Sequence, residues 1–297
     1  MRETLINTIL NYSTENRTPF LLTGDLGYSV LEPFQKQYPN HFINLGIAEQ
    51  SMMSVAAGIS SQGEKVFAYS IANFATFRAL EQLRLDIGYH NLDVCVVGVG
   101  AGFQYGISGY SHWAIEDLSI ISALQQFKIF SPSDKSSTKK AILDFLDQGG
   151  PTYIRLSKQE SDLPETYFFK YVENHVRLFG RGKKFIICHG AIVIKILLSK
   201  NFNPNEYSIF VFDQIPIEMS NVYLAYLESS TCIRVIEECI FPGGLGSRVC
   251  KFLAENEIKK SFKWFGIDGT RLRSAGGSED FLRMRELGTN FLEDLFD

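Results

Sequence analysis

The stretch FINLGIAEQ, residues 42–50, sets the architecture of this chain. It begins with aromatic and β-branched residues, which favour a strand, and a small-residue segment at 51–61, which favours a helix, follows it. Glu49 therefore lies where a strand leads into a helix. A carboxylate at this position could simply complement the positive end of the helix dipole.

Short apolar runs alternate with amphipathic segments along the rest of the chain. Strands are predicted at 20–22, 65–70, 94–99, 128–131 and 152–156, with helices at 51–61, 74–89, 114–126 and 135–147. The last of these helices follows the capping sequence SPSD, residues 131–134. A second series predicts strands at 184–188, 207–212, 232–237 and 262–267, and helices at 191–200 and 245–254. Such alternation is typical of parallel sheets covered by helices on both faces.

Two domains follow from this order. With 297 residues, the chain is long enough for two separate cores. We expect an α/β fold: a first domain over 1–160 with a mostly parallel sheet, and a smaller α/β domain over 184–297. The polar residues 161–183, which have little periodicity, are predicted to be a linker.

Composition excludes several classes of protein. The net charge is −4, from 29 basic and 33 acidic side chains, which gives no reason to expect binding to nucleic acid or to an anionic membrane. The start of the chain lacks the apolar core of a signal peptide, and no apolar stretch is long enough to span a bilayer. The five cysteines include no Cys-x-x-Cys pair, and most lie in apolar runs, so buried reduced thiols are expected rather than disulfides or zinc ligands. These features predict a cytoplasmic protein.

Six motifs in a fixed order carry a family resemblance. They are TGDL at 23–26, NLGIAEQ at 44–50, GYSHWAIED at 109–117, SPSD at 131–134, RLSK at 155–158 and VIEECIFPGGLGS at 235–247. From about Leu21 onward, their order and spacing resemble the separately encoded C-terminal subunits of split transketolases, and the C-terminal part of 1-deoxy-xylulose-5-phosphate synthase is similar. The resemblance implies a pyrimidine-binding domain, then a transketolase C-terminal domain. The implied activity is thiamine-diphosphate-dependent transfer of a two-carbon ketol unit between sugars.

The resemblance assigns the cofactor side of the site. Glu49 matches the family's glutamate, which hydrogen-bonds the aminopyrimidine and promotes its imino tautomer, a general acid–base task. Phe74 falls where the family stacks an aromatic ring on the aminopyrimidine, with Ile71 and Phe77 beside it and Arg78 as the alignment anchor. From spacing alone, the two phenylalanines could equally be core residues of a helix.

His112 is the second expected catalytic residue. It follows the glycine-rich segment 98–109 after a strongly apolar strand, and ligands often bind at the carboxyl ends of strands in α/β folds. The resemblance implies that it lies near the reacting carbon and assists proton transfer or binds a substrate oxygen. A lone histidine beside Trp113 could also be structural. The glycines of this segment lack the spacing of a dinucleotide fingerprint.

The substrate side departs from the family pattern. The resemblance places Ser29, Gly100, Ser108 and Lys158 there. Gly100 stands where transketolases usually have a substrate-binding histidine, and Ile107 and Ser108 replace an acidic pair. Lys158 stands where the family often has a phosphate-binding arginine, and it can supply charge but not a bidentate fork. A specialised sugar substrate is therefore expected.

The lack of the family's diphosphate and metal motif predicts a partner subunit. The family holds the diphosphate through a divalent metal with a Gly-Asp-Gly motif and a later Asn, whereas this chain has GDL at 24–26 and is expected to contain no metal ligands of its own. We therefore expect an N-terminal transketolase-type subunit to supply the diphosphate site and most ligands for Mg²⁺ or Ca²⁺, in an assembly of two copies of each chain.

Two alternatives remain open. The β subunit of a 2-oxo acid dehydrogenase shares this domain order, although the GYSH sequence at 109–112 and the Glu237–Glu238 pair favour a transketolase. A non-catalytic cofactor-binding or regulatory subunit would explain the substitutions at Gly100, Ile107 and Ser108.

In the second domain, the GGLG turn at 243–246 could form an anion nest, but a structural role is expected for this turn and for Glu237 and Glu238.

Overall fold

The computed structural model describes residues 1–15, 17–160, 162–163, 167–267 and 291–296. These residues form one seven-stranded and one six-stranded sheet, both mostly parallel. The predicted α/β fold is confirmed. No helix in the described ranges is long and apolar enough to cross a membrane.

The first sheet is built mainly from the first half of the chain. Its strands are β1 (Phe20–Thr23), β2 (Phe42–Asn44), β3 (Val66–Ile71), β4 (Val94–Val99), β5 (Lys128–Phe130), β6 (Thr152–Leu156) and, from later in the chain, β11 (Gln214–Ile215). They lie in the order β11-β5-β6-β4-β3-β1-β2. All residues of β4 and β6 are buried because helices cover both faces of the sheet. The helices are α1 (Arg2–Tyr12), α2 (Glu32–Gln37), α3 (Glu49–Ser60), α4 (Leu80–Gln82), α5 (Asp117–Ser122) and α6 (Lys135–Gln148).

The second sheet is built from the second half of the chain. Its strands are β7 (Phe169–Glu173), β8 (Val176–Gly180), β9 (Lys184–Cys188), β10 (Tyr207–Phe212), β12 (Cys232–Ile236) and β13 (Ser261–Phe265). They lie in the order β13-β12-β9-β10-β8-β7. The helices are α7 (Ile192–Leu197), α8 (Leu224–Ser229), α9 (Leu245–Glu255) and α10 (Phe291–Phe296). The strands and helices predicted for the second series match elements of this half closely.

The structure corrects the prediction of a linker at 161–183. This segment contains the antiparallel strands β7 and β8, and β8 also pairs with β10. The first three residues of the edge strand β7 are exposed, which hides the alternation that a half-buried strand would show.

Two predicted helices also differ from the structure. The helix at 114–126 is reduced to α5, and the helix at 74–89 is broken into two wide π turns, Phe74–Arg78 and Leu83–Tyr89, around α4. Such wide turns are uncommon and often occur at functional sites. The first of them carries Phe74, Phe77 and Arg78, which are predicted cofactor residues.

A buried ionic cluster joins the two sheets. Arg177 on β8 pairs with Asp134 (Nη1–Oδ2 2.7 Å) and with Asp213 (Nε–Oδ2 2.8 Å). Asp134 also caps α6 by accepting from the backbone N–H of Ser137, as the SPSD sequence predicts. Asp213 directly precedes β11, which completes the first sheet beside β5. Residues from both halves of the chain therefore fix the relative position of the sheets.

Candidate active site

Glu49 is a buried carboxylate at the start of α3. Glu49 as a whole is 2% exposed to solvent. One carboxylate oxygen accepts from the Ser70 hydroxyl at 3.1 Å, and the other accepts from Arg78 Nη1 at 3.0 Å. A Cβ atom at Gly24 would lie 3.3 Å from the Gly46 carbonyl oxygen and 3.4 Å from this carboxylate, so the Gly24 backbone packs closely against Glu49. The carboxylate is thus held in place from two sides, by the end of β3 and by the first π turn.

Arg78 and Phe74 extend the site from Glu49 towards His112. The Arg78 guanidinium carbon lies 3.9 Å from the centre of the Phe74 ring, a cation–π contact. The same phenyl ring contacts the His112 ring, at a centroid distance of 4.9 Å and nearly edge-on. Glu49, Arg78, Phe74 and His112 therefore form one continuous row of contacts. Ile71 ends β3 beside this row, and Phe77 is 46% exposed on the same π turn.

The loop after β4 holds His112 in place. Two 3₁₀ turns, Gly106–Ser108 and Tyr110–His112, end at the buried Trp113, whose indole N–H donates to the Gly106 carbonyl at 3.1 Å. Asn73 donates to the Ser111 carbonyl at 2.6 Å, and the Ser111 hydroxyl lies 2.9 Å from His112 Nδ1. The Trp113 indole thus anchors the loop that carries His112.

Tyr105 occupies the space beside Gly100, a position that no sequence motif indicates. Gly100 has φ +91°, and a Cβ atom there would lie 2.1 Å from the Tyr105 ring. The same ring lies 6.1 Å from that of His112, and the Lys158 ammonium lies 4.1 Å from its centre. Tyr105 thus joins two of the predicted substrate residues to His112.

Arg2 brings a second cation to this region. Burial raises the pKa of Tyr69 and of Tyr105, and the positive charge of Arg2 opposes that rise at both tyrosines. Partial burial, and then the charge of Arg2, lower the pKa of Lys158. The buried Arg2 Nε has no hydrogen-bond partner among the described residues. Arg2 and Lys158 therefore place two positive charges in the region of Tyr105, and sequence reasoning missed this because Arg2 lies outside all six motifs.

Two predicted substrate residues lie at exposed positions. Ser29 has φ +64°, and its N–H donates to Glu32 at 2.7 Å. Ser108 ends the first 3₁₀ turn of the His112 loop. Both residues are exposed, and neither takes part in the row of contacts from Glu49 to His112.

An open cleft of about 670 Å³ adjoins this row of contacts. It is lined by Ile47, Ala48, Glu49, Gln50, Ser51 and Arg78. The cleft offers a buried carboxylate at its wall, and it is wide enough for part of an organic cofactor.

Comparison with known proteins supports the resemblance. Residues 1–162 match the family model described as transketolase, pyrimidine binding domain. A putative transketolase C-terminal section from Methanocaldococcus jannaschii is 27% identical over 94% of this chain and 90% of its own length. A subunit of an apulose-4-phosphate transketolase from Actinobacillus succinogenes is 27% identical over 89% of this chain and 86% of its own length.

A solved structure shares this fold. The structure is described as "Split gene transketolase, inactive beta4 tetramer"; it is 27% identical, has a TM-score of 0.84 and aligns over 99% of this chain and 96% of its own. These relatives favour a transketolase over the alternative of a 2-oxo acid dehydrogenase subunit. The chain belongs to the transketolase family and corresponds to the C-terminal subunit of a split transketolase-like enzyme.

Proposed function

We propose that this chain is the C-terminal subunit of a thiamine-diphosphate-dependent enzyme that transfers a two-carbon ketol unit between sugars or sugar derivatives. The observation that carries the proposal is the row of contacts Glu49–Arg78–Phe74–His112 beside an open cleft. It combines a buried carboxylate, an aromatic face and an imidazole. The five cysteines are free thiols, which fits the proposed cytoplasmic location.

The residues fit the pyrimidine half of thiamine diphosphate. The partly exposed ring of Phe74 offers a face for a flat heterocycle, and Glu49 offers an oxygen for a ring nitrogen. When bound, the cofactor supplies a nucleophilic carbon for the ketol unit. Glu49 holds and exchanges the proton at the ring nitrogen, and Ser70 and Arg78 keep its carboxylate in position.

His112 acts on the substrate side. Its Nδ1 lies against the Ser111 hydroxyl, whereas its Nε2 makes no hydrogen bond within the part of the chain that the structure describes. An imidazole with one nitrogen oriented and the other available can bind a sugar oxygen or pass it a proton.

The diphosphate and its metal require another polypeptide. The cleft residues include one carboxylate, Glu49, and it is already paired with Arg78. An N-terminal subunit would hold Mg²⁺ or Ca²⁺ and the diphosphate, because these ions prefer oxygen ligands.

Apolar side chains are exposed near the cleft and on the second π turn, with exposed fractions of 77% for Ile47, 43% for Leu85 and 76% for Tyr89. Such a surface suits subunit contacts, and we propose two copies of each chain.

Reconstitution tests this function. The purified chain with thiamine diphosphate and Mg²⁺ is expected to bind the cofactor weakly and to transfer no ketol unit, because only the pyrimidine contacts are present. Adding an N-terminal subunit should produce a stable complex with activity, measured by coupled assay and light scattering. Robust transfer by the chain alone would contradict the split-enzyme proposal.

The substrate is proposed to be a specialised sugar with an anionic group. Arg2 and Lys158 provide two positive charges, and Tyr105 provides an aromatic surface between them and His112. A histidine at Gly100 would meet the Tyr105 ring and a left-handed backbone, so Gly100→His is expected to strain the loop.

A double substitution tests the anionic group. Arg2→Met with Lys158→Met is expected to raise KM for a phosphorylated sugar about 100-fold or more, with little change for its unphosphorylated analogue, because two charge-assisted contacts of roughly 1.5–3 kcal/mol each are lost. Lys36→Met, at an exposed residue of α2, is the control. An equal change in KM for both sugars would contradict the assignment.

Ser108 offers a test of substrate preference. Because Ser108 lies on the exposed side of the His112 loop, Ser108→Asp is expected to change the preferred acceptor or donor and to leave thiamine diphosphate affinity unchanged. Kinetics with a panel of sugars and calorimetric titration of the cofactor would measure both. A change confined to cofactor binding would show that Ser108 does not face the sugar.

A further inference from the structure

Three potential metal ligands lie together at the carboxyl ends of two neighbouring parallel strands. His189 follows β9 and Glu237 follows β12, and these strands pair in register up to Cys188 and Ile236. Cys239 lies two residues further on. The three residues are between 0% and 2% exposed. We call His189, Glu237 and Cys239 the His-Glu-Cys cluster.

The spacing within the cluster suits one small cation. His189 Nε2 is 3.5 Å from Glu237 Oε2, and Cys239 Sγ is 3.1 Å from the same oxygen. The three ligand atoms all lie within 4.8 Å of one another. Tetrahedral zinc with bonds of about 2.0–2.3 Å separates neighbouring ligand atoms by roughly 3.3–3.6 Å. Small side-chain adjustments would therefore bring all three atoms onto one ion.

His189 Nε2 is a buried polar atom without a hydrogen-bond partner in the described part of the chain. Its other nitrogen, Nδ1, lies 2.8 Å from the Ser131 hydroxyl. If Nδ1–H donates to that hydroxyl, Nε2 carries a lone pair directed at the cluster. Its polar neighbour Glu237 Oε2 lies 3.5 Å away, at the outer limit of a hydrogen bond. A poorly satisfied buried polar atom is costly, and a coordinated cation would satisfy it.

Hydrogen bonds from neighbouring groups fix the orientation of the Glu237 carboxylate, as a metal ligand requires. Its Oε1 accepts from the Gly246 N–H at 2.9 Å and the Trp264 indole N–H at 2.7 Å, and its Oε2 accepts from the Leu245 N–H at 2.7 Å. The Cys239 thiol also contacts Oε2, and a metal would replace its proton. Outer hydrogen bonds of this kind orient metal ligands and tune their affinity. The GGLG turn thus binds an anion, which is Glu237 itself.

We propose that His189, Glu237 and Cys239 bind a divalent cation of the zinc class. Nitrogen, sulfur and oxygen ligands together favour zinc over Mg²⁺ or Ca²⁺. On binding, the Cys239 thiol gives its proton to solvent and a sulfur–metal bond forms. One thiolate and one carboxylate then neutralise the two positive charges, so that no net charge is buried. This site is distinct from the metal that accompanies the diphosphate.

The proposed ion has a structural role at the junction of the sheets. Ser131, which contacts His189, directly follows β5 of the first sheet. The Ile240 N–H, one residue beyond Cys239, donates to the Ile115 carbonyl at 3.0 Å, three residues from His112. The ion would therefore connect the second sheet to the loop that carries His112.

Metal analysis of the purified chain tests the proposal without any partner subunit. Chain produced with zinc in the medium and dialysed against a weak chelator is expected to retain about one zinc per chain. Replacement by Co²⁺ should give the absorption of a cobalt–thiolate bond. Cys239→Ser should lose the band and most of the metal, and Ser131→Ala should bind zinc about 10–100-fold more weakly. Cys250→Ser, at an exposed thiol, is the matched control.

The stability of the same proteins gives an independent result. A strong chelator is expected to lower the Tm of the wild-type chain but not that of Cys239→Ser, because an ion bound only to the folded state stabilises it. The proposal would be overturned if the wild-type chain, folded in buffer that contains zinc, retained no zinc and if a strong chelator did not change its Tm. In that case the cluster is held together by the contacts of Glu237 with His189 and Cys239 alone. Neither result depends on ketol transfer, so the proposed activity is tested separately.

Discussion

Glu49→Gln is expected to lower the turnover of the complete assembly about 10²–10⁴-fold, the usual range for a lost general acid or base. The amide has nearly the volume of the carboxyl group, so the buried position beside Ser70 stays filled. An amide, however, cannot exchange a proton with a ring nitrogen as a carboxylic acid can. Steady-state ketol transfer by the reconstituted assembly measures the effect.

The structure also predicts a small effect of Glu49→Gln on folding. The Arg78 side chain is 46% exposed, so water can solvate its charge when the ion pair is lost. Circular dichroism and the Tm of the variant should stay close to those of wild type. Glu81→Gln, which removes an exposed carboxylate on α4, is the control and should retain full activity. Normal turnover in Glu49→Gln would show that this carboxylate has no catalytic role.

His112→Ala is expected to lower turnover by a similar factor, about 10²–10⁴-fold, if its imidazole transfers a proton to or from the sugar. The variant also loses the ring that packs against Phe74 at 4.9 Å, a contact of roughly 0.5–1.5 kcal/mol. His90→Ala, at an exposed residue after the second π turn, is the control. Unchanged kcat/KM in His112→Ala would place the imidazole outside the reaction.

The buried strands could be predicted from the sequence, and so could the placement of Glu49 at a helix start and of His112 in the loop after β4. Strands β3 and β4 are covered on both faces, so they appear as almost wholly apolar runs. Glu49 and His112 lie in motifs with recognisable order, and the structure connects them through Arg78 and Phe74. Short-range patterns are informative here because five of the six motifs begin within or directly after a strand, and the sixth, which carries His112, lies in the loop after β4.

Features that depend on tertiary contacts could not be predicted. The strand β11 has two residues and joins a sheet formed much earlier in the chain. The edge strand β7 is largely exposed and has no clear alternation. Tyr105 fills the space beside Gly100 only because the loop folds back on itself. Arg2 reaches Tyr69 and approaches Lys158 from the first helix, over a sequence separation that no local pattern reveals.

Hydrogen–deuterium exchange at the thiazolium carbon of bound thiamine diphosphate tests the central claim most directly. Because Glu49 is assigned to cofactor activation and His112 to the sugar, Glu49→Gln and His112→Ala should differ in their exchange rates in the reconstituted assembly. Exchange should be strongly slowed in Glu49→Gln and close to the wild-type rate in His112→Ala. Exchange at the wild-type rate in Glu49→Gln would contradict the assignment of Glu49 and the proposed function that rests on it.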